Sequence, residues 1–295
     1  MVNTLVALRS GRKLDVQEYG ARAGHPAFFF HGLIGSHHQA AYVSEQAEQA
    51  GLRIIAPNRP GVGRSEFAVR GSARDVVSDV EDVAEALGLE RFSVIGISGG
   101  APYALATLAD LRQRVRTVTV ISGMGPMQLR GALRGMDYRR RFFLEAGSRY
   151  PGLARRAFQR VSERYRADPE RFLARLITTW SLPDQVLFRR RDVFDLFLQD
   201  LDQVFQEGIG SEGLAQELVI YRNFGFALGD LPLDQRIILW HGLSDTIVPP
   251  AMAWRLARVL PDCEAHFLPG GHFMAIDAAD QIVGQLKQQL DGLSL

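Results

Sequence analysis

A cluster of three glycines around one serine constrains the fold of this chain more than any other stretch. Residues 96–100 read Gly-Ile-Ser-Gly-Gly, between an apolar run at 92–97 typical of a buried strand and a helical pattern at 101–108. Glycine lacks a Cβ and accepts strained backbone angles, so the cluster predicts a very sharp turn. Ser98 then lies at the apex of a strand, turn and helix, the context of a nucleophilic serine. Taken alone, the motif also fits a flexible surface loop.

Strand-like and helical patterns alternate along most of the chain. Apolar runs typical of strands occur at 4–8, 14–19, 27–30, 52–56, 92–97, 115–122, 236–242 and 265–271. The first two flank a polar turn and predict an antiparallel hairpin at one edge. Helical patterns follow several of the later runs, at 39–50, 73–87, 99–111 and in the last part of the chain. The alternation predicts an α/β fold with a mostly parallel, eight-stranded sheet and helices on both faces.

The alternation stops between residues 124 and 228, where helical patterns follow one another with almost no strand signal. This segment, here called the helical insertion, lies between the sixth and seventh predicted strands. We interpret it as a cap, or lid, over the site and not as an independent fold. Residues 1–123 and 229–295 then form the core domain.

Two residues that follow strands are candidates to activate Ser98. A serine hydroxyl is a weak nucleophile until a base accepts its proton, and a third group must orient that base. Asp245 and His272 follow the last two predicted strands directly, at the sheet edge where α/β folds place their sites. Asp230 is an alternative acid, but it precedes a strand. We therefore predict a catalytic triad of Ser98, Asp245 and His272.

Acyl transfer also needs hydrogen-bond donors for the negative oxygen of the tetrahedral intermediate. The third predicted strand ends in His31-Gly32, so the backbone amide of Leu33 is placed to point into the site. The backbone amide of Gly99 follows the nucleophile directly. We predict that the amides of Leu33 and Gly99 form an oxyanion hole.

Several motifs carry a resemblance to a known family: His31-Gly32, NRPGVGRS at 58–65, Gly-Ile-Ser-Gly-Gly at 96–100, HGLSDTIVP at 241–249 and GGHF at 270–273. They span nearly the whole chain outside the helical insertion. With these motifs and the order serine, aspartate, histidine, the chain resembles the capped, esterase-like and lipase-like branch of the α/β-hydrolase fold. Asn58 departs from the pattern, since the family often has an acidic residue there, and we attribute the difference to loop stability.

The resemblance implies a serine hydrolase that cleaves a carboxylic ester or related acyl compound through an acyl-enzyme on Ser98, without a cofactor. Other members with this triad hydrolyse peptides, lactones or carbon–carbon bonds. A further alternative is a small-molecule receptor with slow turnover on the same fold. Dehalogenases and epoxide hydrolases of this fold normally have aspartate at the elbow, so Ser98 argues against those activities.

Composition and charge limit the partners of the protein. The net charge of +1 gives no general attraction to nucleic acid, and no apolar run is long enough for a membrane span. Cys263 is the single cysteine, so no internal disulfide forms, and no signal-peptide pattern precedes the first strand. We expect a cytoplasmic monomer or homodimer without integral membrane association. His37-His38 lacks further ligands, so we predict no metal site.

The helical insertion has two notable sequence features. Its aromatic residues include Phe143 and Trp180, which we predict to line an apolar substrate pocket together with His31. Residues 130–191 contain sixteen arginines against six acidic residues, whereas residues 192–217 contain seven acidic residues and no Lys or Arg. These charges indicate either helix faces that pair with each other or a basic surface for anionic substrates or lipid headgroups.

Overall fold

A computed structural model of the protein describes residues 2–205, 210–232 and 234–293. Its strands are β1 (Val2–Ala7), β2 (Lys13–Gly20), β3 (His25–Phe30), β4 (Leu52–Pro57), β5 (Phe92–Ile97), β6 (Val115–Ile121), β7 (Ile237–Gly242) and β8 (Cys263–Leu268). Within the described residues they form one eight-stranded sheet in the order β1-β2-β4-β3-β5-β6-β7-β8. β2 is antiparallel to both of its neighbours, and the other neighbouring pairs are parallel. The predicted mostly parallel sheet is confirmed.

Helices cover both faces of this sheet. The α-helices of the described residues are α1 (Ser44–Gln49), α2 (Val77–Ala86), α3 (Ala101–Leu111), α4 (Tyr138–Arg149), α5 (Pro151–Ala167), α6 (Pro169–Ile177), α7 (Leu182–Leu187), α8 (Arg191–Phe205), α9 (Gly210–Arg222), α10 (Pro250–Val259) and α11 (Ala279–Gly292). α1 and α11 pack on one face, while α2, α3 and α10 pack on the other. Because the central strands are buried on both faces, they read as continuous apolar runs.

The predicted helices of the core differ from the structure mainly at their starts. The pattern at 39–50 corresponds to a 3₁₀ helix, His37–Val43, followed by the short α1, and the pattern at 73–87 begins as the 3₁₀ helix Ala73–Val76. Ala40 and Val43 are buried against the sheet, so packing overrides the α-helical pattern. α10 was not predicted.

Six helices, α4 to α9, lie between β6 and β7 in the described part of the helical insertion. Their starts carry ordinary sequence signals. Asp137, Asp168 and Ser181 accept backbone hydrogen bonds as N-caps of α4, α6 and α7, and Pro151 and Pro169 occupy first-turn positions. The insertion is helical, as predicted, whereas its role as a cap and the division of the chain into two domains remain predictions.

Candidate active site

Ser98 lies at a tight turn between β5 and α3. Its backbone has φ of +52°, a left-handed conformation that costs free energy for a residue with a side chain. A methyl group at Gly100 would lie 1.9 Å from the Phe30 carbonyl oxygen, and one at Gly96 would lie 2.8 Å from the Ala101 Cα. The glycines are therefore required by close backbone packing around the turn, which excludes the alternative of a flexible surface loop.

The three residues of the predicted triad form one hydrogen-bonded chain. The Ser98 hydroxyl lies 2.9 Å from His272 Nε2, and His272 Nδ1 lies 2.7 Å from Asp245 Oδ2. A carboxylate only accepts hydrogen bonds, so Nδ1 carries the proton toward Asp245 and Nε2 is left to accept the Ser98 proton. Asp245 and His272 lie in the loops after β7 and β8, so the carboxyl edge of the sheet brings the three together.

The Asp245 carboxylate is fixed by its own loop. Its Oδ1 accepts hydrogen bonds from the backbone amides of Ile247 and Val248 at 2.8 and 2.9 Å. His241 Nε2 donates to the Val248 carbonyl at 2.9 Å and lies 3.3 Å from Asp245 Oδ2. Burial lowers the pKa of His241, although the charge of Asp245 opposes this shift, so His241 is a neutral support of the loop.

Asp184 of α7, which was not predicted from the sequence, contacts the loop that carries His272. Its carboxylate accepts hydrogen bonds from the backbone amides of His272 and Phe273 at 2.9 and 3.0 Å. The Ser181 hydroxyl donates to the same carboxylate at 2.7 Å. The Ser-x-x-Asp spacing in the sequence indicates a helix start, but nothing in it indicates contact with the loop after β8.

The residues predicted for the oxyanion hole lie side by side next to Ser98. A methyl group at Gly99 would lie 2.9 Å from the Leu33 backbone nitrogen and 1.8 Å from the Tyr221 hydroxyl. Leu33, Gly99, Ser98 and Tyr221 also line one cavity. Leu33 and Gly99 therefore lie close together beside Ser98, and Tyr221 of α9 borders the same cavity. An oxyanion hole formed by their amides remains a prediction.

The loop that carries Leu33 is tied to α8 through Gln39. Gln39 Oε1 accepts from the Gly32 amide at 2.7 Å, and its Nε2 donates to Asp200 Oδ2 at 2.9 Å. Asp200 Oδ1 accepts from the Ser36 amide and hydroxyl, both at 2.6 Å. Burial raises the pKa of Asp200 to about 7, against the opposing effect of these hydrogen bonds.

A buried ion pair holds the other side of the same loop. Arg59 Nε donates to Glu217 Oε1 of α9 at 2.9 Å, and Arg59 Nη2 donates to the Gly32 carbonyl at 2.8 Å. The hydroxyls of Tyr103 and Tyr221 donate to the Glu217 carboxylate at 2.8 and 3.2 Å. Because Glu217 contacts both Arg59 and Tyr221, α9 supports the Leu33 loop as well as the wall of the site.

His31 was predicted to line the substrate pocket, and this prediction is wrong. The side chain is fully buried and is not among the residues that line the cavity beside Ser98. Its Nδ1 donates to the Gly32 carbonyl at 2.9 Å, and its Nε2 accepts from the Arg59 amide at 3.2 Å. Both ring nitrogens are engaged with the backbone, so His31 fixes the loop from behind.

A cavity of about 250 Å³ opens beside Ser98 and His272. Its walls come from the core and from the helical insertion, and Phe143 and Trp180 both line it as predicted. Trp180 packs against Phe273 with ring centroids 4.7 Å apart, so it borders the residue next to His272. The lining is mostly apolar, which suits a substrate with an apolar body.

The remaining candidate residues lie away from this arrangement. Asp230, the alternative acid, is exposed in the short 3₁₀ helix Leu228–Asp230. His37 is buried, and its Nδ1 lies 3.0 Å from the Tyr19 hydroxyl. Across the described residues, no group of three or more His, Cys, Asp or Glu side chains is arranged to hold a metal ion. None of the described helices combines the length and hydropathy needed to cross a bilayer.

Comparison with known structures shows the same fold in proteins of differing activity. An esterase from Exiguobacterium antarcticum is 17% identical, over 98% of this chain and 100% of that one, with a TM-score of 0.68. A bromoperoxidase from Bacillus anthracis is 16% identical, over 98% and 100%, with a TM-score of 0.72. The epoxide hydrolase CorEH is 19% identical, over 99% of both chains, with a TM-score of 0.75. At these identities the similarity concerns the fold alone.

A family model described as the alpha/beta hydrolase fold matches residues 27–279, which is most of the chain. This match begins in β3 and ends at the start of α11, so it includes the Ser98 turn and the loops after β7 and β8. The protein therefore belongs to the alpha/beta hydrolase fold family.

Proposed function

We propose that this protein is a serine hydrolase that cleaves carboxylic esters or related acyl compounds with an apolar body. The observation that carries the proposal is the hydrogen-bonded chain Ser98, His272 and Asp245 at the wall of an apolar cavity. A serine bonded to a histidine, which is bonded in turn to a buried carboxylate, is the arrangement that nucleophilic acyl transfer requires.

The proposed reaction has two halves. His272 Nε2 accepts the proton of Ser98 as Oγ attacks the acyl carbon, and Asp245 stabilises the resulting imidazolium. The amides of Leu33 and Gly99 hold the oxyanion, and His272 then gives its proton to the leaving alcohol. In the second half, His272 accepts a proton from the water that attacks the acyl-enzyme, and it then gives this proton to Ser98 Oγ as the bond to the acyl carbon breaks and the acid is released. No cofactor takes part in these steps.

The assignment is tested with a small fluorophosphonate probe and a series of p-nitrophenyl esters of increasing chain length. We expect the probe to label Ser98 and the esters to turn over, with Ser98→Ala lowering turnover by roughly 10⁴- to 10⁶-fold. Ser78→Ala is the matched control, since Ser78 is an exposed serine of α2. Labelling that survives in Ser98→Ala contradicts the nucleophile assignment.

The same panel separates the proposal from its alternatives. Lactones and aminoacyl amides are measured beside the esters, because the same triad can act on those acyl compounds. A carbon–carbon hydrolase is expected to leave all of these substrates nearly untouched while retaining probe labelling. A receptor is expected to release at most one equivalent of nitrophenol per protein, whereas a hydrolase releases product continuously.

A further inference from the structure

Arg140 is the one permanently charged side chain among the described residues that line the cavity. It lies in the first turn of α4, and its guanidinium Nη1 donates to the backbone carbonyl of Thr246. Thr246 is flanked by the triad acid Asp245 and by Ile247, which also lines the cavity. The guanidinium is therefore anchored at the loop that holds the triad acid, within the wall of the substrate cavity.

The guanidinium of Arg140 makes no direct contact with an acidic side chain of the described residues, although Asp245 and Asp137 lie near enough to act on its charge. Within the described residues Arg140 forms no ion pair, whereas its neighbour Arg141 pairs with Glu145 at 2.9 Å. Arg140 is half-buried, and burial lowers the pKa of its guanidinium while Asp245 and Asp137 oppose the shift. Arginine keeps its charge under ordinary conditions, so a partly desolvated cation faces a mostly apolar cavity. An anion bound from the cavity would stabilise it.

We propose that Arg140 binds a carboxylate of the substrate, so that the substrate class of this hydrolase is an acyl compound with a carboxylate at the end remote from the scissile bond. This inference rests on the proposed function of Ser98. Nη1 donates to the Thr246 carbonyl, and Nε and Nη2 donate to no atom of the described residues. This edge can make a bidentate contact, the geometry that suits carboxylates. The apolar lining accommodates the hydrocarbon between the carboxylate and the acyl carbon.

The test uses two p-nitrophenyl esters of the same shape and different charge. One is mono-p-nitrophenyl adipate, and the other is p-nitrophenyl 6-methylheptanoate, in which an isopropyl group replaces the carboxylate. Both are measured with the wild type, Arg140→Gln and Arg140→Lys. Arg141→Gln is the matched control, because it removes the same charge from an adjacent residue outside the cavity lining. Fluorophosphonate labelling of each variant reports whether Ser98 remains reactive.

We expect Arg140→Gln to lower kcat/KM for the adipate ester by about ten- to a hundredfold, mainly through KM, and to change the neutral ester by less than about threefold. A contact made equally in the ground state and the transition state acts on KM. Arg140→Lys is expected to restore part of the loss, because it restores the charge without the bidentate edge. Arg141→Gln is expected to leave both esters unchanged.

An equal loss of kcat/KM for the two esters in Arg140→Gln overturns the inference. Arg140 would then only link α4 to the loop that contains Thr246. If Arg140→Gln does not fold, the inference is tested by comparing kcat/KM of the wild type for the two esters. A preference for the adipate ester over the neutral ester supports the inference, and a clear preference for the neutral ester overturns it. These outcomes concern Arg140 alone. Absent labelling of Ser98 together with absent turnover of both esters instead overturns the proposed function.

Discussion

Asp184 and His272 are 88 positions apart in the chain, yet the Asp184 carboxylate accepts the backbone N–H of His272 at 2.9 Å. The contact is tightly packed, since a methyl group at Gly271 would lie 2.1 Å from the same carboxylate oxygen. Ser122 Oγ donates to the His272 carbonyl at 2.9 Å, so the backbone of the histidine is held on both sides. A helix of the insertion thus positions the base of the proposed triad.

We expect Asp184→Ala to lower turnover of p-nitrophenyl esters by about ten- to a hundredfold. The substitution leaves the buried amides of His272 and Phe273 without acceptors, and a shift of about 1 Å in a catalytic group is enough for such a loss. Fluorophosphonate labelling should slow in parallel, because the proton transfer from Ser98 to His272 is impaired. Steady-state rates and labelling rates provide the measurement.

Ser181→Ala is the control for this prediction. It removes the N-cap hydroxyl of α7 but leaves the Asp184 carboxylate to hold His272. We expect it to lower the melting temperature with little effect on turnover. Equal losses of turnover in Ser181→Ala and Asp184→Ala would mean that Asp184 acts only through the stability of α7.

The sheet and the order of the proposed triad follow from local sequence patterns. Buried parallel strands give continuous apolar runs, and their carboxyl ends meet at one edge, so Ser98, Asp245 and His272 were predicted to lie together. The strand ends differ from the predicted ones by no more than about three residues. A sharp turn at Ser98 was also predicted, because a strand pattern and a helical pattern flank the three glycines and favour a turn over a flexible loop.

The contacts between the insertion and the core were not predictable from local patterns. Asp184, Asp200 and Glu217 resemble the other acidic residues of the insertion in sequence, and only tertiary packing decides which carboxylates turn inward. His31 is the reverse case, a residue that was predicted for the site and lies outside it. The glycine after His31 indicated a histidine that fixes its loop, whereas the pocket prediction placed the side chain in the cavity, and the fold directs it behind the loop. Helical phase within the insertion places Phe143 and Arg140 in the cavity, and that phase depends on how α4 packs.

Gly99→Ala is predicted to impair the oxyanion position. The added methyl group would lie 1.8 Å from the Tyr221 hydroxyl and 2.9 Å from the Leu33 nitrogen, so at least one of them must move. We expect turnover to fall by about a hundredfold or more, the scale of losing one oxyanion-hole donor. The change should affect kcat more than KM, because the oxyanion exists only in the transition state and intermediate.

Gly284→Ala in α11 is the control for this substitution, since a methyl group there meets no atom within 4 Å. It should leave turnover unchanged and stabilise the protein slightly. Adding Tyr221→Phe to Gly99→Ala removes the closest clash and should recover part of the lost rate. Full activity in Gly99→Ala would show that the Gly99 and Leu33 amides do not form the oxyanion hole.

Asp200 is predicted to make stability depend on pH. Its pKa is raised by burial from 3.8 to about 7, although Ser36, Gln39 and Arg59 oppose the shift. Between about pH 4 and 7 the folded state therefore holds a proton on Asp200 that the unfolded state has released. The stability contributed by this group falls as pH rises through this range, and it is constant above it. We expect the free energy of unfolding of the wild type to fall by about 2 kcal/mol, relative to that of Asp200→Asn, between pH 5 and 7.

The measurement is the free energy of unfolding in urea for both proteins across this pH range. Asp195→Asn is the control, because Asp195 lies on the same helix, has a side chain that is 43% exposed, and pairs with Arg191 at 2.8 Å. We expect the difference between wild type and Asp195→Asn to stay nearly constant, as exposed pairs contribute little. A difference between wild type and Asp200→Asn that does not change with pH would contradict protonation of Asp200 in this range.

Phe143→Ala is predicted to change the preference among ester chain lengths. Phe143 lines the cavity and packs edge-on against Phe158, with ring centroids 5.3 Å apart, so its removal lengthens the apolar space. Each buried methylene contributes about 0.8 kcal/mol, and room for one or two more should raise the ratio of long-chain to short-chain kcat/KM by roughly four- to fifteenfold. Phe142→Ala is the matched control, because Phe142 is 72% exposed.

Phe143 tests the pocket more cleanly than Trp180, although both line it. Trp180 packs against Phe188 and Phe273 at centroid distances of 4.9 and 4.7 Å, so Trp180→Ala also loosens the neighbour of His272 and should cost about 3–5 kcal/mol of stability. In Phe143→Ala the small fluorophosphonate probe should label Ser98 at the wild-type rate, because the proposed triad is untouched. An unchanged ester profile with slowed labelling would instead make Phe143 a packing support of α4, and the acyl chain would then have to occupy the opposite wall of the cavity.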